Sequence, residues 1–137
     1  MIIREPDKAK QLVCFDGMRF EGRHGYANVW PTDIDGYIQL DREKLFFLLE
    51  LKYKGGMKYG QQSALTKLAD AVGENCYVIL AEHHSDLPEP IMVKDAVTTA
   101  VYRGTLGWLE RPIGLNVKDT VETIVHARRE VLNTWKT

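Results

Sequence analysis

Apolar and polar positions divide the middle of the chain into strands and one helix. Residues alternate from Asp33 to Leu40 and are apolar almost throughout from Leu45 to Tyr53, which predicts two strands joined by a short polar turn. From Gln61 to Val72 the apolar residues recur at helical spacing, and Gly73 is a suitable stop. Cys76 to Glu82 is a further short apolar run. This order of elements predicts a crossover unit in a mixed β-sheet flanked by helices, an α/β fold.

The outer parts of the chain have a weaker pattern. Asp16-Gly17 between two short apolar runs predicts a tight hairpin from Leu12 to Glu21. The segment from Ile91 to Tyr102 is expected to hold one more strand, and Trp108 to Pro112 to be irregular. Val117 to Trp135 has the spacing of a terminal helix that packs on the sheet. Since no repeat or linker interrupts the pattern, we expect residues 1–137 to form a single domain.

Composition narrows the protein class. The apolar fraction of 45% and the balance of 18 basic and 19 acidic residues exclude a disordered tail, a collagen-like fibre and a disulfide scaffold. The formal charge of −1 provides no global field for nucleic acid or membrane, so phosphate binding would need a local patch or a cation. The two cysteines, Cys14 and Cys76, lack metal-site spacing, and we expect Cys76 to be a buried thiol in a reducing compartment. No apolar stretch has the length of a membrane span, so a cytoplasmic protein without membrane contact is expected.

Charged residues interrupt the two central strands at matching places. A side-chain period of two puts Asp33 and Asp35 on one face of the first strand. It likewise puts Glu50 and Lys52 on one face of the second. Fifteen positions separate Asp35 from Glu50, enough for one strand, a turn and most of the return strand. The carboxylates are therefore expected to meet at the same end of a hairpin.

Carboxylates that meet on a half-buried sheet face repel each other by about 4 kcal/mol at 4 Å, for an effective dielectric near 20. Lys52 supplies one positive charge against two or three negative ones. A hard divalent cation with oxygen ligands, Mg²⁺ or Mn²⁺, is the natural complement. Such a cation activates water and stabilises charge on a phosphate, and Lys52 beside it would orient the nucleophile or neutralise the transition state.

The arrangement of Asp35 and Glu50-Leu51-Lys52 on consecutive strands, just after Pro31-Thr32-Asp33, resembles the PD-(D/E)XK nuclease superfamily. This superfamily includes restriction endonucleases, archaeal Holliday junction resolvases and RecB-like nucleases. The resemblance covers roughly Trp30 to Glu82. Tyr59-Gly60-Gln61 at the start of the helix resembles the glutamine that several of these families place there. The resemblance implies a restriction endonuclease-like core.

The resemblance also implies roles for individual residues. Asp35, Glu50 and the Leu51 carbonyl would be ligands of Mg²⁺ or Mn²⁺, Lys52 the catalytic lysine, and Gln61 a catalytic support. The superfamily motif usually has its aspartate directly after proline, whereas Thr32 intervenes here, so Asp33 competes with Asp35 as a metal ligand. We favour Asp35 because an apolar residue precedes it and a glycine follows it. The superfamily core begins with a helix, and the sequence before Asp33 predicts only a weak one.

Basic and aromatic residues near this motif are candidates for contact with nucleic acid. Lys54, Lys58 and Tyr59 follow the second strand, and Arg23 lies in the loop before the first. The alternative for all four is a solvated face. The basic pair Arg128-Arg129 is expected only to solvate the terminal helix.

The leading hypothesis is a Mg²⁺-dependent nuclease that hydrolyses phosphodiester bonds in duplex or branched DNA, either structure-selective or weakly sequence-specific. A dimer straddling a duplex, or a phage or mobile-element origin, would suit an enzyme of this size. The alternative is a catalytically silent module on the same fold that binds nucleic acid or a protein. A third hypothesis makes the charged sheet face an interface between subunits.

Overall fold

The computed structural model describes residues 34–54, 59–109 and 114–135, and within them two helices lie against a five-stranded sheet. A 3-10 turn, Val93–Asp95, precedes the fourth strand. The elements in chain order are β1 Gly36–Leu40, β2 Leu45–Tyr53, α1 Tyr59–Val72, β3 Cys76–His83, β4 Val97–Arg103, β5 Gly107–Trp108 and α2 Val117–Trp135.

The strands lie in the sheet in sequence order, from β1 to β5. Strands β1 and β2 form an antiparallel hairpin in which Gly36 is opposite Leu49. Strand β3 runs parallel to β2, from the pair of Phe46 and Cys76 to the pair of Tyr53 and His83, so α1 is the crossover between them. The remaining two pairings are antiparallel. The predicted hairpin of β1 and β2, the crossover unit from β2 to β3 and the mixed sheet are thereby confirmed.

Both faces of β2 are buried, because a helix covers each side of the sheet. Alternate residues of a strand point to opposite faces. One set packs with α2 and comprises Leu45, Phe47, Leu49, Tyr77, Ile79, Ala81, Ala96, Val101, Val117 and Val125. The other packs with α1 and comprises Leu48, Leu65, Ala69, Cys76, Val78 and Leu80. Cys76 is buried as expected, and burial raises the pKa of its thiol.

Most predicted boundaries agree with the structure, and the differences have local causes. Strand β2 and helix α2 have the predicted limits, α1 begins two residues early, and β3 extends to His83. Strand β1 begins at Gly36 rather than Asp33. Gly73 ends α1 with a φ of +116°, where a glycine avoids the cost of a Cβ, and its N–H bonds the Ala69 carbonyl at 2.8 Å. Strand β5 was not predicted.

The turn between β1 and β2 is fastened to α2. The Arg129 Nε donates to Glu43 Oε1 at 2.8 Å, and the Arg128 Nε donates to the Glu43 carbonyl at 3.2 Å. The prediction that these two arginines only solvate the helix is therefore wrong. It failed because the partner lies 86 positions earlier in the chain, beyond the reach of local pattern.

The predicted hairpin from Leu12 to Glu21 lies outside the described residues. The prediction of one domain over residues 1–137 and that of a restriction endonuclease-like core both remain predictions. No helix in the described ranges has the length and apolar character required to traverse a lipid bilayer.

Candidate functional site

Asp35 lies in the bend directly before β1 and reaches across to the neighbouring strand. Its Oδ2 accepts a hydrogen bond from the Leu51 backbone N–H at 2.8 Å, between residues sixteen positions apart. The carboxylate takes the ladder position that a main-chain acceptor would occupy if β1 continued, which explains why the strand begins at Gly36. Asp35 therefore lies beside the Glu50-Leu51-Lys52 segment, as predicted from the fifteen positions between Asp35 and Glu50. It precedes β1, however, and is not part of the strand.

Glu50 is a buried carboxylate in the second half of β2. It is 2% exposed and lies on the sheet face covered by α1, opposite the face that holds Leu49. Burial of a carboxylate is unfavourable unless charges or hydrogen bonds compensate for it. The Lys52 Nζ lies 3.5 Å from Glu50 Oε1 and provides a positive charge. The Lys52 side chain is 29% exposed, so a ligand in solution can reach the lysine of this pair although the carboxylate is buried.

A pocket of about 270 Å³ adjoins Lys52 on the α1 face, and its lining contains polar residues that sequence reasoning missed. They are Gln62 from α1, Glu82 from β3 and Thr99 from β4. Glu82 is the direct neighbour of Lys52 in the parallel pairing of β2 and β3. The sequence did contain a signal for Glu82. It is a charged residue at the end of the apolar run of β3, just as Glu50 is a charged residue within the apolar run of β2. The register that brings it beside Lys52 follows only from the folded sheet.

The other predicted site residues are described in part or not at all. Tyr59 and Gln61 belong to the first turn of α1, and their side chains lie outside the described part of the chain. Asp33, Lys58 and Arg23 lie entirely outside the described residues. Their assigned roles remain predictions.

Lys54, the fourth residue predicted to contact nucleic acid, is exposed just after β2. Its Nζ lies 5.4 Å from the centroid of the Tyr53 ring, within range of a cation–π interaction. The Tyr53 hydroxyl in turn donates to Asp86 Oδ1 at 2.6 Å, and this hydrogen bond raises the pKa of Tyr53. A lysine and an ordered aromatic ring therefore lie directly after Lys52.

The donor set suits a hard cation, although its protein ligands are few. The described residues contain no group of three or more histidine, cysteine, aspartate or glutamate side chains arranged to hold a metal ion. The Asp35 and Glu50 carboxylates and the Leu51 carbonyl offer oxygen donors only, which is the chemistry that Mg²⁺ prefers. Mg²⁺ commonly keeps several waters and takes one or two carboxylates from the protein, so these donors match such an ion in number and type.

The arrangement combines two carboxylates, a lysine and a small polar pocket near the carboxyl end of β2, next to the exposed Tyr53 ring. We compared the chain with family models, curated proteins and solved structures, and none of the three comparisons found a match.

Proposed function

We propose that the protein is a metal-dependent nuclease that hydrolyses phosphodiester bonds in DNA on a restriction endonuclease-like core. The observation that carries the proposal is the hydrogen bond from the Leu51 N–H to Asp35 Oδ2 at 2.8 Å. It holds an aspartate from outside the strand against the Glu50-Leu51-Lys52 segment. An ion pair between Glu50 and Lys52 does not require a further carboxylate at this place, whereas a cation site gains an oxygen ligand from it.

Each residue has a distinct task in the proposed reaction. The carboxylates of Asp35 and Glu50 and the Leu51 carbonyl would hold Mg²⁺ or Mn²⁺. The bound cation would supply Lewis acidity toward water and toward the phosphate. The Lys52 ammonium, steered by its ion pair with Glu50, would donate hydrogen bonds to the attacking water or to the phosphate oxygens. The Leu51 N–H fixes Asp35 before any ligand binds, which reduces the reorganisation needed at the site.

The order of the elements supports the same proposal. The acidic residues lie at one end of the β1–β2 hairpin, and the helix after the Glu-Leu-Lys strand leads to a strand parallel to it. That is the arrangement implied by the resemblance to the PD-(D/E)XK superfamily. Because the net charge is −1, DNA affinity must come from local groups such as Lys52 and Lys54. Structure-selective or weakly sequence-specific cleavage, by a monomer or a homodimer, suits such a limited contact surface.

The proposal is tested by incubating the purified protein with single-stranded, duplex and branched DNA, in Mg²⁺, in Mn²⁺ and in EDTA. We expect cleavage in the metals and none in EDTA. Lys52→Ala and Glu50→Gln should each reduce the rate at least about 100-fold, the usual cost of losing a group that stabilises transition-state charge. Lys118→Ala and Glu122→Gln are matched controls on α2, from an exposed pair 4.0 Å apart, and should leave the rate unchanged.

Full activity of Lys52→Ala or Glu50→Gln would contradict the assignment. If no DNA is cut in either metal, calorimetry decides what remains. Mn²⁺ binding that disappears in Asp35→Ala would identify a metal site without turnover. Absence of Mn²⁺ binding would favour the silent binding module. A change of mass in solution in the same variants would favour the subunit interface instead.

A further inference from the structure

A second pocket, of about 370 Å³, opens where the parallel strands β2 and β3 end. Its size is near the lower limit for small-molecule sites, about 300 Å³, so it suits a compact ligand. Its lining includes Tyr53, His83, Asp86, Leu87, Glu89 and Ile91. Tyr53 directly follows Lys52, and neighbouring Cα atoms lie about 3.8 Å apart. The pocket therefore begins one residue from the candidate catalytic lysine, on the other face of the same strand end.

The walls of this pocket are aromatic and apolar. Tyr53 is 43% exposed, and the His83 ring packs edge-on against it with the centroids 5.6 Å apart. Leu87 is 98% exposed and Ile91 is 44% exposed. Apolar side chains held in contact with water around an aromatic ring suit a flat, weakly polar ligand that would cover them.

The Tyr53 ring is held in place without a ligand. Its hydroxyl is bonded to Asp86, 33 positions away, and the Lys54 ammonium lies over the ring. A ring oriented in advance loses little conformational entropy when another ring stacks on it. Lys54 adds a positive charge at the rim, next to Lys52, where a phosphate backbone would pass.

The polar groups of the pocket favour a base over a phosphate. Asp86 and Glu89 contribute carboxylates, which repel phosphate but accept hydrogen bonds from the exocyclic amino groups of bases. The Nδ1 atom of His83 is buried and has no hydrogen-bond partner among the described residues. Such an atom is costly unless a ligand or a water satisfies it. Negative and aromatic groups inside, with the Lys54 ammonium beside the Tyr53 ring, match a nucleotide whose base enters first.

We propose that this pocket binds an unpaired nucleobase of the DNA strand whose phosphodiester lies at Glu50 and Lys52. The inference rests on the proposed function and specifies its substrate class as single-stranded or branched DNA. A base within a duplex is stacked and paired, and it must leave the stack before it can enter a pocket. The strand would cross the edge of the sheet, because Lys52 and Tyr53 point to opposite faces.

The test measures binding in EDTA, where no cleavage is expected, with a single-stranded oligonucleotide that carries 2-aminopurine. We expect a change of its fluorescence on binding and none with the fully paired duplex. Tyr53→Ala should weaken the affinity about 5-fold to 140-fold, the range for loss of one aromatic stack on a base. Tyr53→Phe keeps the ring and should bind within about threefold of the parent protein.

Two further variants separate the pocket from the fold. Leu87→Ser truncates a side chain that is 98% exposed, so it should weaken binding while the thermal midpoint stays unchanged. Trp108→Ala removes an aromatic ring of matched exposure, 44%, in the edge strand β5, three strands away from β2, and should not alter binding. Equal affinities of Tyr53→Ala and the parent protein, with both folded by circular dichroism, would overturn the pocket. So would displacement of the oligonucleotide by arginine amide but not by deoxycytidine, since that indicates a site for cationic side chains.

Failure of this inference and failure of the proposed function give different results. Metal-dependent cleavage that requires Lys52, together with an affinity for DNA that is unchanged in Tyr53→Ala, overturns the base pocket and supports the nuclease. Tyr53-dependent binding of unpaired bases without cleavage in any metal supports the base pocket and overturns the nuclease.

Discussion

Two buried glutamates, near opposite ends of β2, have similar burial and opposite surroundings. Glu43 is 4% exposed and Glu50 is 2% exposed. Glu43 receives a guanidinium hydrogen bond at 2.8 Å from Arg129 on another element, and this bond lowers its pKa. Glu50 has the Lys52 ammonium at 3.5 Å, two residues further along its own strand, and the Asp35 carboxylate is bonded to the backbone N–H of the intervening Leu51.

The comparison teaches that the partner, rather than the burial, distinguishes a structural carboxylate from a candidate site. An arginine in direct contact from a distant element joins two parts of the fold. Lys52, whose ammonium faces Glu50, comes from the same strand, neighbours Glu82 and lines a polar pocket, which suits the Glu50 environment to ligands and the Glu43 environment to stability.

The largest expected effect separates the two glutamates by activity. Glu50→Gln should reduce the rate of DNA cleavage about 100-fold or more, whereas Glu43→Gln should stay within about threefold of the parent protein at a temperature where both are folded. The measurement is the initial rate in Mg²⁺ on the best substrate. Comparable losses in both variants would remove the distinction between site and structural pair.

The next effect concerns stability and has the opposite pattern. Glu43→Gln should lower the thermal midpoint by about 4 °C or more, because it weakens a charge-assisted hydrogen bond between the β1–β2 turn and α2. Glu50→Gln should change the midpoint less. Glu122→Gln is the control for loss of one negative charge, since Glu122 is an exposed glutamate on α2. The comparison would be reversed if Glu50→Gln proved the more destabilising.

The smallest expected effect is a change in the acid dependence of stability. Arg129 holds the pKa of Glu43 below its ordinary value of 4.5, so the folded state resists protonation more than the unfolded chain does. The stabilisation is present in full above the unfolded pKa and is lost as the pH falls through the folded one. Denaturant midpoints measured from pH 6 downward should therefore decline less steeply in Glu43→Gln. The expectation would be contradicted if the denaturant midpoints of Glu43→Gln and the parent protein, each normalised to pH 6, had the same pH dependence.

Asp70 provides a second check on the same pH profile. The Thr105 N–H and the Tyr102 hydroxyl both donate to Asp70 Oδ1 and lower its pKa, so this carboxyl has the same sign of pH dependence. Asp70→Asn should reduce the acid dependence as well. The two effects should add, since the two carboxyls share no hydrogen-bond partner in the described structure.

Sequence pattern predicted the core of the fold because the strongest elements are locally encoded. The continuous apolar run of β2 and the helical spacing of α2 have the predicted limits, and the distance from Asp35 to Glu50 correctly indicated that a hairpin joins them. The two-residue strand β5 escaped prediction because it contains no periodicity to detect. The early start of α1 escaped as well, because Tyr59 and Gly60 carry no helical spacing.

The sequence by itself determined strands β1 to β3, the two helices and the approach of Asp35 to the Glu50-Leu51-Lys52 segment, since periods of 2 and 3.6 and the length of a hairpin are properties of the local backbone. Only the tertiary structure decided that Glu82 lies beside Lys52, that Asp86 orients Tyr53, and that Arg129 binds Glu43. Each of these contacts joins residues 30 or more positions apart. They depend on strand register and on how a helix packs across the sheet, which no local pattern encodes.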